Sequence, residues 1–166
     1  KRCSDNTNIV ENIHGIIRNI EQLKTDFVEK YNKNLIKAFS DNMKKGYIEL
    51  LATCGTDIFL PHFADMKEII SAQIETGLHA YKQVFGEIPD GFWLPELGYR
   101  PGLEKIIKSY GFTYTILDSR SVLLSDNIPT NGIFYPVRTD NFLVLFANDS
   151  SVENELYGED GIVYSL

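Results

Sequence analysis

The chain has 166 residues, of which 43% are hydrophobic and 12% aromatic, a composition typical of a globular domain. It is shorter than a complete (β/α)8 barrel, which runs to about 200 residues or more. The net charge of −7 argues against a nucleic-acid partner, because such a partner requires clustered basic residues. No run approaches the ~20 apolar residues of a membrane span. We therefore expect a cytoplasmic protein with no nucleic-acid or membrane partner.

The two cysteines, Cys3 and Cys54, lie far apart in the sequence and do not show the spacing of metal ligands. A domain of this size does not depend on a disulfide scaffold, so we interpret both as free thiols. The chain begins at Lys1 rather than at a methionine, and it ends within an apolar run at 161–166 that is typical of a strand. These two features predict a fragment of a longer protein.

Apolar residues at helical spacing predict a leading helical segment over 1–46, either one long helix or two consecutive helices. Gly46 follows Lys44 and Lys45, which is the position of a glycine that ends a helix. Asp65 and Glu68 are expected to form a capping box for a later helix. The elements predicted after Gly46 are a strand at 47–53, a helix at 66–85, a strand at 92–95, a helix from Pro101 to Gly111 and a strand at 112–117.

In the remainder of the chain, 119–166, two apolar runs at 133–137 and 142–146 predict a hairpin. The polar stretch at 148–160 predicts a loop. The predicted fold class is α/β, with parallel strands joined by right-handed crossovers and a C-terminal β-hairpin. We interpret the chain as part of one domain. Its segments are the helical 1–46, a βαβαβ core at 47–118 that carries the site, and the hairpin and loop at 119–166.

Polar residues follow each predicted strand, and parallel α/β folds bind ligands at these strand ends. Glu96 lies between Trp93 and Tyr99, an arrangement that suits a pyranose ring stacked on an aromatic side chain beside a carboxylate. Pro95 favours a sharp exit from the strand. Arg100 is close enough in sequence to keep the carboxylate ionised. An equally open interpretation is that Glu96 and Arg100 form an ion pair and the aromatic rings belong to the core.

The segment 91–103, GFWLPELGYRPGL, resembles the third signature region of glycoside hydrolase family 57. This family includes 1,4-α-glucan branching enzymes, amylases and 4-α-glucanotransferases. The similarity covers nearly the whole chain from about Phe27. Its other segments are 46–53 and 56–61, similar to the preceding signature, and 73–74, 85–86, 114–118, 134–137 and 146–151.

The resemblance implies part of an incomplete (β/α)7 barrel and a retaining double displacement that uses no metal or other cofactor. Glu96 would be the nucleophile, and an aspartate of a later signature, past residue 166, would be the acid/base. The implied partner is an α-glucan or maltooligosaccharide. We expect the chain to be inactive alone and to associate with the missing part of the barrel or with a second copy, which would cover its open sheet edge. The positions predicted to bind the sugar are Trp93, Tyr99, Arg100, Asp57 and Asp118.

The sequence departs from the family pattern at Asp57, where the family usually has a histidine. The substitution places a second negative charge near the nucleophile and favours, as an alternative, a non-catalytic glycan-binding or regulatory relative. Asp57 would otherwise cap a turn. A weaker alternative is a metal-dependent deacetylase in which Asp57, His62 and His79 bind the metal. Asp118 is interpreted either as a second carboxylate or, preferably, as a residue that caps the following loop or fixes Arg120.

Overall fold

A computed structural model describes residues 7–157 of the chain. Its contacts divide the chain into two compact units, Lys1–Glu49 and Leu50–Leu166. The described helices of the first unit are α1, Thr7–Thr25, and α2, Leu35–Lys44, with a π-helical turn, Asp26–Lys30, after α1.

The two helices of the first unit are separated by two consecutive residues with left-handed backbone angles. Asn32 and Lys33 have positive φ angles of 48° and 58°, which a continuous right-handed helix does not permit. The side chain of Asn34 then accepts a 2.9 Å hydrogen bond from the Lys37 amide and caps α2. Gly46, at φ 72°, follows α2 as a left-handed terminating glycine. The prediction of consecutive helices ending at Gly46 is confirmed.

The second unit alternates helices and strands, as predicted. Its elements are a 3-10 turn, Leu60–Phe63; α3, Lys67–Phe85; β1, Gly91–Trp93; a 3-10 turn, Pro95–Leu97; α4, Leu103–Ser109; β2, Tyr114–Asp118; α5, Ser119–Leu123; β3, Val137–Arg138; β4, Val144–Asn148; and α6, Ser150–Tyr157. The helix predicted to start at Pro101 begins two residues later, after Gly102.

The strands form one sheet in the order β1-β2-β4-β3. β1 pairs with β2 and β2 pairs with β4 in parallel, while β3 and β4 are antiparallel. The predicted hairpin is therefore present, although β4 also serves as a third parallel strand beside β2. Because one strand has both roles, the hairpin is part of the main sheet. The α/β class with mainly parallel strands is confirmed.

The sheet has one buried face and one partly exposed face, because side chains alternate along each strand. The buried face carries residues such as Phe92, Thr115 and Leu117, which pack with the helices into one core. Trp93, Ile116 and Phe146 occupy one register row on the other face, where Trp93 and Phe146 are exposed. The hydrophobic core residues are Ala52, Cys54, Leu60, Ile70, Ile74, Tyr81, Phe92, Leu94, Leu103, Ile107, Phe112, Leu117, Val122, Leu143 and Leu145.

The strand predicted at 47–53 is wrong. In its place a single parallel bridge joins Ala52 to Phe92. The Ala52 amide donates to the Gly91 carbonyl at 3.2 Å, and the Trp93 amide donates to the Ala52 carbonyl at 2.7 Å. The apolar run correctly predicted burial at Ala52, but β1 is only three residues long and supports no longer pairing.

Two predictions based on polar residues are also wrong. Met66 rather than Asp65 is the cap residue of α3, and it makes no side-chain cap bond. Ser150–Tyr157 is a helix rather than a loop, because Asp149 Oδ1 accepts hydrogen bonds from the amide and hydroxyl of Ser151 and stabilises its first turn. The strand expected at 161–166, and Cys3, lie outside the described residues. Within residues 7–157, no helix is long and apolar enough to cross a membrane.

Candidate active site

The carboxyl ends of the parallel strands and of the Ala52 bridge lie along one edge of the sheet. Three predicted site residues follow these ends: Asp57 after the bridge, Glu96 after β1, and Asp118 at the last position of β2. The sheet topology therefore brings these segments to the edge where α/β proteins bind ligands.

Glu96 has an unusual backbone conformation. Its φ and ψ angles are 54° and 19°, and Leu97 follows with φ 51°, so two consecutive non-glycine residues are left-handed. Each such residue costs roughly 1–2 kcal/mol. The turn is closed by hydrogen bonds from the Leu97 amide to Leu94 and from the Gly98 amide to Pro95, at 3.0 and 3.1 Å. Strain of this kind clusters at functional sites, and here it accompanies an exposed carboxylate.

The chain after Glu96 is packed closely against other segments of the second unit. Gly98 is buried, and a Cβ atom there would lie 2.5 Å from the Phe59 ring and 3.1 Å from Pro61. Only a residue without a side chain permits this approach. Packing against the 59–61 segment therefore restricts the backbone two residues beyond Glu96.

The two aromatic residues that flank Glu96 have different environments. Trp93 is 39% exposed on the open face of the sheet. Tyr99 is half-buried against the core, and its hydroxyl donates a 2.9 Å hydrogen bond to Glu104 Oε2. Burial, and then the bond to the Glu104 carboxylate, raise the pKa of Tyr99 well above its ordinary value. Trp93 is thus available to stack on a ligand, whereas the Tyr99 hydroxyl already has a partner.

Arg100 forms its ion pair with Asp65, at 3.3 Å between Nη1 and Oδ2. Among residues 7–157 no ion pair joins Arg100 to Glu96, so the expected pairing between them is wrong. The left-handed turn at Glu96 and Leu97 lies between the two residues, and the guanidinium reaches the loop before α3 instead. Asp65 lies one residue before the cap position of α3, which is Met66.

Asp118 binds Arg120, as preferred from the sequence, and it caps the helix α5 where a loop was expected. Its Oδ1 accepts from the Arg120 amide at 2.8 Å and from Nε at 2.9 Å, and its Oδ2 accepts from Nη2 at 3.0 Å. These bonds to Arg120 lower the pKa of Asp118. A carboxylate held ionised in this way is poorly suited to donate a proton near neutral pH.

The metal site proposed for Asp57, His62 and His79 is wrong. Within the described part of the chain, no three histidine, cysteine or acidic side chains are grouped so as to hold a metal ion. The His62 ring packs edge-on against Phe59 at 4.8 Å, and His79 is hydrogen-bonded to Gln83 on α3. Asp57 is exposed in the loop after Ala52.

Several supporting contacts were not predicted from the sequence. The Thr53 hydroxyl donates to the Trp93 carbonyl at 2.9 Å and joins the bridge segment to β1. Gln73 Oε1 accepts from both the amide and hydroxyl of Thr56. Glu104 is 9% exposed and binds Tyr99. Cys54 is buried with a free thiol, and burial raises its pKa to about 11, so it is not an activated nucleophile.

Residues 2–157 match the sequence model of Glycosyl hydrolase family 57. The chain belongs to this family. The 1,4-alpha-glucan branching enzyme TK1436 of Thermococcus kodakarensis is 30% identical over 124 residues, which cover 66% of this family 57 chain and 18% of that enzyme.

Solved structures support the fold. The alpha-amylase AmyC of Thermotoga maritima matches with a TM-score of 0.79 and 24% identity, over 93% of this family 57 chain and 30% of that chain. The GH57-type branching enzyme of Pyrococcus horikoshii matches with a TM-score of 0.73 and 25% identity, over 85% and 29%. The chain therefore spans less than a third of these structures, and its fold is part of the incomplete (β/α)7 barrel expected from the sequence.

Proposed function

We propose that this chain carries the nucleophile of a retaining, branching-enzyme-like glycoside hydrolase or transglycosylase that acts on α-glucans, and that Glu96 is this nucleophile. The supporting observation is the exposed Glu96 carboxylate, held in a left-handed backbone at the carboxyl end of β1 in a family 57 chain. Folding alone does not favour glutamate there, because glycine adopts this backbone at lower cost.

In the proposed reaction the Glu96 carboxylate attacks the anomeric carbon, the glycosidic C–O bond breaks, and a glycosyl ester forms. A second carboxyl group about 5–5.5 Å away protonates the departing oxygen. It then removes a proton from water or an acceptor hydroxyl, which attacks the ester and releases Glu96. We place this acid/base aspartate beyond residue 166, in the later signature region that the family resemblance implies. The hydrogen bonds from Arg120 disfavour Asp118 for this role.

The proposed substrate is an α-glucan or maltooligosaccharide, in line with the likeness to a 1,4-alpha-glucan branching enzyme. This chemistry needs no cofactor. Exposed Trp93 would stack on a sugar ring, and exposed Asp57 lies in a loop of the same edge. The other proposed sugar-contacting positions are Tyr99, Arg100 and Asp118.

A second candidate is a non-catalytic glycan-binding or regulatory relative. Asp57 favours it, because an exposed aspartate replaces the hydrogen-bond-donating histidine expected at this position. The two candidates differ in one measurable respect. A binding protein would take up maltooligosaccharide and leave it unchanged.

A trapping experiment tests the assignment in the complete polypeptide that carries this chain. A 5-fluoro-α-maltosyl fluoride should leave a covalent sugar on Glu96, because the ring fluorine slows both steps while the fluoride leaving group favours the first. Peptide mass spectrometry locates the label. A label on another carboxylate would contradict the assignment, and binding without a label would support the second candidate.

Residues 1–166 produced alone should show no glucan turnover, because the proposed acid/base lies elsewhere. The measurement is release or transfer of glucose units from maltoheptaose, beside the complete polypeptide at equal molarity. Addition of the remaining barrel as a separate chain should restore activity if the two parts associate. Turnover by residues 1–166 alone, whether as a monomer or as a homo-oligomer, would show that they contain an acid/base.

A further inference from the structure

Glu104 is a buried carboxylate in the first turn of α4, with 9% of its surface exposed. Its Oε2 accepts two hydrogen bonds, from the Tyr99 hydroxyl at 2.9 Å and from the Gly102 amide at 2.7 Å. A buried carboxylate is costly unless such bonds satisfy it. The two donors lie on the segment that connects Glu96 to α4, so Glu104 holds this segment at two points.

Beyond the backbone hydrogen bonds that close the turn itself, three side-chain contacts of different strength restrain the chain directly after Glu96. The Arg100–Asp65 pair is exposed, with 86% of the Asp65 side chain accessible, and pairs of this kind contribute little. The close packing of Gly98 against Phe59 limits how far the backbone can move toward the ring, but it supplies no directional bond. The bonds to Glu104 are short, partly buried and directional, and charge-assisted bonds are the stronger class.

We propose that Glu104 is a positioning residue for Glu96. By fixing Tyr99 and Gly102, its carboxylate keeps the strained turn at Glu96 and Leu97 in one orientation relative to the strand end. This inference rests on the proposed role of Glu96 as the nucleophile. A displacement of about 1 Å at a reacting group can reduce the rate by about 10²-fold, so a small relaxation of this segment has a large effect.

The first test uses Glu104→Gln and Tyr99→Phe in the complete polypeptide, with α-maltosyl fluoride as the substrate. Both changes preserve side-chain size and weaken the bonds to the loop. We expect kcat to fall by about 10- to 100-fold for E104Q, and by less for Y99F. KM should change little in either variant, because Y99F keeps the aromatic ring that would meet a sugar and removes only a hydroxyl that is already bonded to Glu104. The double variant should lose little more than E104Q alone, because the Tyr99 bond that Y99F removes is one of the two bonds that E104Q already weakens. Additive losses would overturn the proposal.

The deciding test replaces the tethered nucleophile with a free one. In Glu96→Gly, azide should attack the anomeric carbon of α-maltosyl fluoride, expel fluoride and give the β-maltosyl azide. Azide is not held by the 96–104 segment, so E96G and E96G/E104Q should react with azide at equal rates.

The effect of E104Q on the rate is compared in the parent protein and in E96G with azide. If the rate falls by the same factor in both, Glu104 has a general structural role and the inference is overturned. If E104Q melts much lower than the parent, Y99F in the E96G background gives the same comparison with a smaller change. Failure of azide to restore any turnover to E96G would instead contradict the nucleophile assignment, and this inference with it.

Discussion

Replacing Glu96 with glutamine should reduce turnover of maltooligosaccharides by on the order of 10³-fold or more, because an amide cannot form the glycosyl ester on which the double displacement depends. Initial rates on a maltooligosaccharide measure the loss. Glu87→Gln is the matched control, since Glu87 is also exposed but precedes β1 at the opposite end of that strand. Undiminished activity in E96Q would exclude Glu96 as the nucleophile.

Loss of activity in these variants would not arise from unfolding. Glu96 is exposed and its backbone is left-handed, so E96G removes a backbone cost of roughly 1–2 kcal/mol and should melt no lower than the parent. Thermal melts of E96G, E96Q and E87Q distinguish loss of the nucleophile from loss of the folded structure. An inactive E96G with a clearly lower melting temperature would indicate a structural role.

The second large effect is expected at Gly77, inside α3. A Cβ atom there would overlap the carbonyl oxygen of Thr53 and lie 2.8 Å from its carbonyl carbon. Both atoms are backbone, so neither can rotate away. Gly77→Ala should therefore destabilise the second unit by roughly 1–3 kcal/mol through overpacking. This loss opposes the gain of about 1 kcal/mol that alanine brings to a helix interior.

The change at Gly77 should also reach the candidate site. Thr53 is hydrogen-bonded to the Trp93 carbonyl, so displacement of the 53–54 backbone from α3 disturbs the end of β1. Urea denaturation followed by circular dichroism measures the stability, and the fluorosugar trapping rate measures the site. Gly15→Ala in α1 is the control, because the nearest atom to its Cβ is 3.9 Å away on the Arg18 side chain. G15A should be neutral or stabilising, and an equally stable G77A would contradict the packing argument.

Elements marked by strong local signals were predictable from the sequence. Apolar periodicity and Gly46 located α2, Pro101 and Gly111 located α4, and the aromatic and β-branched run at 112–117 located β2. α3 was placed correctly from a capping box at Asp65 that the structure does not contain. The prediction of a strand at 47–53 was wrong because an apolar run indicates that residues are buried, but not that they pair with another strand. The parallel pairing of β4 with β2 was missed because it joins segments some thirty residues apart, as in Thr115↔Leu145.

In the candidate site, too, features that are local in sequence were predicted and those that depend on distant contacts were not. The motif around Glu96 and the cap formed by Asp118 are local in sequence and were predicted. The partner of Arg100 is Asp65, which lies 35 positions earlier, so sequence proximity pointed to Glu96 instead. Gly77 gave no signal, because a glycine within a helical pattern does not reveal what packs against it. Glu104 comes directly after the segment 91–103 in the sequence, but only the structure shows that its side chain is buried.

Trp93 is the one tryptophan of the chain, and it lies on the exposed face of β1 three residues before Glu96. All indole fluorescence of residues 1–166 therefore originates at the strand end that carries the proposed nucleophile. A sugar stacked on the ring would exclude water from it and change its emission. The chain thus contains an intrinsic optical probe of its own candidate site, and in this segment occupancy can be followed without an attached dye.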